Sequence, residues 1–162
     1  MASPLAEIGL SVGELLKARK ETIAVSESSA GGLINAALVA VPGASAYYFG
    51  GAVVYTAASR QNLLGIEKAE MKGIRSASEP YARLAAQRIR ERLGTTWGLA
   101  ETGASGPTGN RYGDAPGHAC IAVSGPQEAS LTIETGSPDR DANMNEFALR
   151  ALALLESCLR NS

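Results

Sequence analysis

A hydroxyl-rich turn near the start of the chain contains residue types that can attack a carbonyl carbon or hold an anion. It covers residues 26–32, Ser-Glu-Ser-Ser-Ala-Gly-Gly, between a strand-like run at 22–25 and apolar residues at helical spacing over 33–41. A strand that enters a helix through such a turn presents hydroxyl groups and free N–H groups at the helix N-terminus, where negative charge is stabilised. Ser28 or Ser29 could equally serve only as a helix cap, so both interpretations stay open.

A second segment rich in small residues follows a predicted strand at 97–102. It begins Glu-Thr-Gly-Ala-Ser-Gly-Pro-Thr-Gly-Asn at residues 101–110 and continues as a long loop to Gly117. Small residues let backbone N–H groups approach a ligand, and loops longer than about 12 residues in a compact domain are commonly functional or disordered. The glycine spacing matches neither the Walker A loop nor the dinucleotide-binding loop. The pattern therefore fits a ligand-binding loop and a plain surface loop equally well.

The composition limits the classes of partner that this chain can have. Its 162 residues, 45% hydrophobic and 19% charged, predict one domain over residues 1–162 with a single sizeable core. A formal net charge of -1 gives no basic field of the kind that nucleic acid or an anionic membrane surface attracts. We therefore expect neither nucleic acid nor a membrane as a partner.

The cysteines and the apolar runs predict the compartment. Cys120 and Cys158 are far apart and lack CxxC spacing, so we expect buried reduced thiols and neither a disulfide framework nor a zinc site. No leader pattern opens the sequence, and no apolar run approaches the roughly 20 residues of a membrane helix. The expectation is a soluble cytoplasmic protein.

Helical and strand-like patterns alternate along the chain and must position the two segments. We predict helices over 5–20, 33–41, 59–65, 78–94 and 139–160, and strands over 22–25, 47–56, 97–102, 118–124 and 131–135. Gly50 and Gly51 interrupt the second strand and indicate a bulge or a close backbone approach, where a ligand could come near. Interleaved helices and strands favour a layered α/β domain.

Four motifs, in order along the chain, resemble those of the C-terminal domain family of the competence/damage-inducible protein CinA, whose characterised members are nicotinamide mononucleotide (NMN) deamidases. The family's Glu-Ser-Cys-Thr-Gly-Gly is similar to residues 27–32, and its Val-Pro-Gly-Ser-Ser to residues 41–45. Its Tyr-Ser-Asn-x-x-Lys-x-x-Leu-Leu-Gly block is similar to residues 55–65, and its Thr-Gly-x-x-Gly-Pro loop to residues 102–107. The resemblance spans nearly the whole chain.

The resemblance implies a fold and a reaction. The fold would be a single-domain, three-layer α/β/α sandwich around a mixed sheet. The reaction would be hydrolysis of the carboxamide of NMN to nicotinate mononucleotide and ammonia, with no metal and no other cofactor. Many family members carry this domain behind a larger molybdopterin-binding-like domain, and functions that depend on that domain are not carried over. The alanine-rich helices lead us to expect a homo-oligomer.

The resemblance also implies roles for individual residues. Ser28 would be the nucleophile, assisted by Tyr55 and by the residue at position 60, here Arg60. N–H groups of the turn from Ser29 to Gly32 could stabilise the oxyanion, and the loop around 105–109 could seat the ribose phosphate. The predicted substrate-binding residues are Ser29, Ala30, Gly31, Gly32, Thr102, Gly103, Ser105, Gly106, Gly109 and Arg111.

Arg60 stands where the family has a lysine. A guanidinium group has a pKa above about 12 and cannot act as a base in a protein. Three alternatives for the proton acceptor are a Tyr55 phenolate favoured by Arg60, one of the carboxylates of Glu27 and Glu101, or Lys68. If none operates, the chain is a catalytically silent nucleotide-binding homologue, in which Arg60 clamps a phosphate or a carboxylate.

Three further residues have a structural interpretation. His118, the one histidine, directly follows the long loop, and we expect it to be satisfied by protein partners and not to be a site residue. Arg111 and Asp114 lie in the variable part of the loop, where a solvated ion pair is the default interpretation and a ligand contact the alternative.

Overall fold

One mixed sheet forms the middle of the fold in the computed structural model, which describes residues 2–162. The strands are β1 (Ile23–Glu27), β2 (Tyr48–Val53), β3 (Trp97–Ala104), β4 (His118–Ser124) and β5 (Ala129–Glu134). The α-helices are α1 (Pro4–Arg19), α2 (Leu33–Val39), α3 (Ala57–Leu64), α4 (Glu79–Leu93) and α5 (Arg140–Arg160). Short 3-10 helices cover Ala44–Ala46 and Lys68–Met71.

The strand order β2-β1-β3-β4-β5 determines where loops meet. β1 lies between β2 and β3 and runs parallel to both, whereas β4 and β5 continue the sheet in antiparallel fashion. The carboxyl ends of β1, β2 and β3 therefore lie at the same edge of the sheet. Ligands of open α/β sheets commonly bind in the crevice at this edge.

Helices cover both faces of the sheet, because successive strand residues point to opposite faces. Val25, Leu99 and Ile121 belong to the core cluster on the face of α1, α2 and α5. Ala24 and Ala100 belong to the cluster on the face of α3 and α4. The result is a three-layer α/β/α sandwich around a mixed sheet, as predicted.

The predicted irregularity at Gly50 and Gly51 is a β-bulge. Ile23 pairs with Tyr48 but Ala24 pairs with Gly50, so β2 contains an extra residue at this point. A Cβ atom on Gly51 would lie 2.1 Å from Oδ1 of Asn35 in α2. The same Cβ would lie 2.4 Å from the Val25 carbonyl oxygen in β1, so protein atoms of the neighbouring helix and strand make the close approach.

Several element ends follow from capping. The Ser78 hydroxyl accepts from the N–H of Tyr81 at the start of α4, as predicted, and Gly94 adopts the left-handed conformation at its end.

Cys120 and Cys158 are buried free thiols, and burial raises the pKa of both. None of the helices within residues 2–162 combines the length and apolarity that crossing a membrane requires.

Candidate functional site

A cleft of about 560 Å³ opens where the loops after β1 and β2 meet the carboxyl end of β3. Its size lies within the range of ordinary small-molecule sites. Hydroxyl, aromatic and guanidinium side chains make up most of its lining. The lining residues are Ser28, Val54, Tyr55, Thr56, Ala57, Arg60, Met71, Ile74, Arg75, Ser76, Ala77, Tyr81, Thr102, Gly103, Asn110, Arg111 and Tyr112.

The cleft brings together some of the residues predicted from sequence. The three predicted catalytic residues, Ser28, Tyr55 and Arg60, all line it. Of the predicted substrate-binding residues, Thr102, Gly103 and Arg111 line it as well. The others lie outside its lining, namely Ser29, Ala30, Gly31, Gly32, Ser105, Gly106 and Gly109. All of these roles stay predictions.

Glu101 fastens the turn that carries Ser28. This side chain is 2% exposed, and its Oε1 accepts from the N–H groups of Ser28 and Ala30, each at 2.9 Å. Its Oε2 accepts from the Ser29 hydroxyl at 2.5 Å. The Ser28 hydroxyl, by contrast, makes no hydrogen bond to any residue within 2–162. Of the two serines, only Ser28 offers its hydroxyl to the cleft.

Glu27 fills the role of a cap for α2. It is fully buried, and its Oε1 accepts from the N–H groups of Gly32 at 3.1 Å and Ile34 at 3.0 Å. Its Oε2 accepts from the backbone N–H and the side-chain amide of Asn35, both at 2.7 Å. The N–H donors at the helix N-terminus are therefore satisfied by a carboxylate from the preceding strand, which leaves little room there for an external anion.

The turn holds fewer free N–H groups than the predicted oxyanion site needs. The N–H of Ala30 donates to Glu101, that of Gly31 to the Ser28 carbonyl at 3.0 Å, and that of Gly32 to Glu27. Within the described part of the chain, the Ser29 N–H makes no such bond. It is the one backbone N–H among residues 29–32 without a protein acceptor within 2–162, and Ser29 itself lies next to the cleft residue Ser28.

No candidate base contacts the Ser28 hydroxyl among residues 2–162. Burial raises the pKa of Glu101, although the Ser29 hydroxyl and two backbone N–H groups oppose this shift. The carboxylates of Glu27 and Glu101 accept hydrogen bonds from other groups of the turn and of α2. Lys68 is exposed and lies outside the cleft lining. Of the alternatives from the sequence, only Tyr55 lines the same cleft as Ser28.

Tyr55 and Arg60 do not form the pair that the sequence suggested. The Arg60 Nη1 donates to the Ser76 hydroxyl at 3.2 Å, and the guanidinium carbon lies 5.5 Å from the ring centroid of Tyr81. The Tyr55 hydroxyl instead accepts from Nη2 of Arg140 at 3.1 Å. Arg140 is therefore the cation beside Tyr55, and sequence reasoning missed it because no local pattern links residues 85 positions apart.

The loop between β3 and β4 is anchored by α5. The side-chain amide of Asn143 donates to the Ser105 carbonyl at 2.8 Å, and Nη1 of Arg140 donates to the Gly106 carbonyl at 2.5 Å. A Cβ atom on Gly109 would lie 1.9 Å from the Asp114 carbonyl oxygen. These three loop residues pack against protein, and the loop presents Asn110, Arg111 and Tyr112 to the cleft.

Asp114 pairs with Arg75 and not with Arg111. Two nitrogens of Arg75 donate to the two carboxylate oxygens of Asp114 at 2.7 and 3.2 Å. Burial alone would raise the pKa of Asp114, but the hydrogen bonds from Arg75 and Asn110 lower it below its usual value. The default expectation of an Arg111–Asp114 ion pair is therefore wrong.

His118 is satisfied by protein partners, as the sequence indicated. Its Nδ1 lies 2.5 Å from Oε1 of Glu134, and its Nε2 lies 2.8 Å from the Ala77 carbonyl oxygen. Burial alone would lower the pKa of His118, but these two bonds and the nearby Asp114 carboxylate together raise it. Ala77, a cleft residue with φ of 54°, is thereby held in the left-handed region.

The fold and the cleft define a class of protein, an α/β/α domain with a cleft lined by hydroxyl and guanidinium groups at the carboxyl edge of its sheet. The chain belongs to the CinA C-terminal domain family, whose sequence model matches residues 5–159. Among residues 2–162, no group of three or more His, Cys, Asp or Glu side chains could hold a metal ion.

Curated relatives support the family at useful identity. The chain is 37% identical over 145 residues to a CinA-like protein of Anaeromyxobacter sp. (strain K). This alignment covers 90% of the chain and 36% of that protein. It is 42% identical over 113 residues to a CinA-like protein of Prochlorococcus marinus (strain MIT 9313), with coverage of 70% and 26%. The chain spans about a third or less of the length of these relatives.

Solved structures show the same fold. A competence-damaged protein (CinA) superfamily protein from Klebsiella pneumoniae superposes with a TM-score of 0.91 at 24% identity, covering 98% of this chain and 99% of that one. The competence/damage inducible protein CihA from Agrobacterium tumefaciens gives 0.90 at 22% identity, with coverage of 98% and 97%. At these identities the likeness establishes the architecture alone.

Proposed function

We propose that this chain hydrolyses the carboxamide of NMN, with Ser28 as the nucleophile. The family relationship supports the reaction, and one observation supports the residue. Ser28 lines the cleft and has an uncommitted hydroxyl, whereas the hydroxyl of the adjacent Ser29 is bound to buried Glu101. A nucleophile has to be accessible to substrate and free of competing hydrogen bonds that hold it elsewhere.

The proposed reaction proceeds through an ester. The Ser28 oxygen bonds to the carboxamide carbon, and the negative charge that develops on the carbonyl oxygen is met by the Ser29 N–H. The carbon–nitrogen bond then breaks, and the nitrogen leaves as ammonia with the proton that Ser28 released. A water molecule cleaves the ester, which gives nicotinate mononucleotide and restores the serine.

Tyr55 is the proposed carrier of the proton between these steps. Tyr55 lines the same cleft as Ser28, and its hydroxyl oxygen already accepts a hydrogen bond from Arg140 at 3.1 Å. A cationic donor stabilises negative charge on the oxygen that it contacts. Arg140 would therefore supply the assistance that a lysine gives in relatives, while Arg60 faces Tyr81 and Ser76.

A catalytically silent binding domain is the second candidate. The observation that favours it is the lack of any proton acceptor in contact with the Ser28 hydroxyl within residues 2–162. Arg60 cannot take this role because its guanidinium stays protonated. In this case the cleft would bind a nucleotide without turnover.

The first experiment measures ammonia release and nicotinate mononucleotide formation from NMN by the wild-type protein, Ser28→Ala and Ser45→Ala. Ser45 is exposed and lies outside the cleft, so Ser45→Ala is the matched control. We expect Ser28→Ala to lower kcat by at least about a thousandfold, as loss of a nucleophile does. Turnover that survives Ser28→Ala would contradict the proposal. NMN binding without turnover in wild type would support the silent domain.

A further inference from the structure

The cleft carries positive charge in a chain whose net charge is -1. Its lining contains Arg60, Arg75 and Arg111 and includes no Asp or Glu side chain. Asp114 neutralises Arg75 through two hydrogen bonds. Arg60 and Arg111 form no ion pair with any residue within 2–162. Two uncompensated guanidinium groups therefore border one cleft.

Most donors of these two groups are unused. Arg60 donates to the Ser76 hydroxyl at 3.2 Å, and Arg111 donates from Nη2 to the Tyr112 hydroxyl at 3.0 Å. A guanidinium group has five N–H donors arranged as a planar fork, which matches two oxygens of a phosphate or carboxylate. Each arginine can bind an anion without giving up its present contact.

The exposed Arg111 side chain packs against an aromatic ring of its own loop. Its guanidinium carbon lies 5.1 Å from the ring centroid of Tyr112, and that of Arg75 lies 5.0 Å from the same centroid. Asp114 fixes Arg75 and also accepts from the side-chain amide of Asn110 at 2.8 Å. Because the cation already contacts this ring, binding loses less side-chain entropy.

Other expected seats for a phosphate lie outside the cleft lining or are bound to protein. Ser105, Gly106 and Gly109 do not line the cleft. The amides at the start of α2 are bound to Glu27. The two arginines are thus the strongest uncommitted anion-binding groups that line this cleft.

We propose that Arg60 and Arg111 together bind the phosphate group of a nucleoside monophosphate in this cleft. The choice of NMN as ligand rests on the proposed function, but the chemistry of the site is that of any phosphomonoester dianion. In this assignment Arg60 recognises the substrate and takes no part in proton transfer. It differs from the expectation that residues 105–109 seat the phosphate.

Calorimetric binding of NMN and of nicotinamide riboside, which lacks the phosphate, tests the assignment. The variants are Arg60→Gln, Arg111→Gln and the double variant, with Arg83→Gln as control because Arg83 is an exposed arginine outside the cleft lining. Each single change should weaken NMN binding about 10- to 100-fold and riboside binding by less than about twofold. Because both arginines hold one group, the double variant should lose less than the product of the single losses.

Lysine variants separate the binding role from loss of folding. Arg60→Lys and Arg111→Lys keep the charge but lose the fork, so each should restore part of the NMN affinity that the glutamine variant loses. Thermal unfolding of every variant verifies that the fold is intact. Equal loss of NMN and riboside affinity, or unchanged NMN affinity in both glutamine variants, would overturn the assignment.

The binding data, taken together with the ammonia assay described above, distinguish this assignment from the proposed function. If NMN binds through its phosphate but releases no ammonia, the assignment stands and the deamidase proposal fails. If NMN is deamidated while the riboside binds equally well, the deamidase proposal stands and the assignment fails. If neither NMN nor inorganic phosphate binds the wild-type protein, the assignment is overturned.

Discussion

At the scale of single residues, two buried glutamates accept the hydrogen bonds that stabilise the turn around Ser28. Glu27 satisfies donors at the N-terminus of α2, and Glu101 joins the turn to β3. Carboxylates accept several hydrogen bonds at once, which offsets the cost of burying them. Ser28 therefore sits on a turn held from both sides, and its own hydroxyl is left free.

Replacement of Glu101 by alanine should destabilise the protein more than its replacement by glutamine. Glu101→Ala leaves the buried N–H groups of Ser28 and Ala30 and the Ser29 hydroxyl without an acceptor, and we expect a loss of about 3–5 kcal/mol of unfolding free energy. Glu101→Gln keeps an acceptor for the N–H groups and should cost about 1–2 kcal/mol. Urea unfolding measures both. Equal stability of the two variants would show that the three hydrogen bonds contribute little.

The local elements of this arrangement could be predicted from the sequence, but its long-range contacts could not. A strand, a helix and a turn rich in serine and glycine could be predicted, because periodicity and capping are local. The partner of Ser29 could not, since Glu101 lies 72 positions away. One signal was present, because Glu101 lies in a predicted strand, and a glutamate that becomes buried in a sheet requires a partner. Nothing in the sequence indicated the contact between Arg140 and Tyr55.

At the scale of elements, glycines in the strands set how closely the layers approach. A Cβ atom on Gly98 in β3 would lie 2.2 Å from the carbonyl oxygen of Ala86 and 2.7 Å from Cβ of Arg90, both in α4. The backbone of α4 can therefore pack directly on β3. Patterns of apolar residues predicted both elements, but the distance between them depends on atoms that only the assembled layers bring together.

Gly98→Ala should force β3 and α4 apart. We expect a loss of about 2–4 kcal/mol of unfolding free energy, since the clash is with backbone that cannot rotate away. Gly113→Ala is the comparison, because Gly113 has φ of 90° but no atom within 4 Å of a built Cβ. It should cost only about 1 kcal/mol from backbone strain. Urea unfolding of both variants measures the difference, and a smaller loss for Gly98→Ala would contradict close packing.

At the scale of the whole molecule, a buried histidine links the antiparallel part of the sheet to the cleft. His118 starts β4, contacts Glu134 at the end of β5, and bonds to the carbonyl of the cleft residue Ala77. Asp114 lies 3.5 Å from its Nε2. Because both ring nitrogens face acceptors, the charged form of His118 suits its surroundings.

His118 should make stability depend on pH. Its pKa is raised in the folded protein, so its charge contributes fully below the unfolded value of about 6.5 and the contribution is lost as pH rises through the folded value. We expect wild type to lose about 1 kcal/mol more than His118→Gln between pH 6 and pH 9. Urea unfolding across this range measures the difference. Parallel pH profiles for the two proteins would contradict a charged His118.

The position of α5 has a consequence for protein synthesis. Residues Arg140 and Asn143 in its first turn tie down Tyr55 and the loop at 105–106. A ribosome delivers the chain from its N-terminus, so all of the residues that line the cleft, from Ser28 to Tyr112, emerge before the helix that anchors them. A nascent chain therefore cannot complete the cleft and its anchored loop until α5 has emerged from the ribosome.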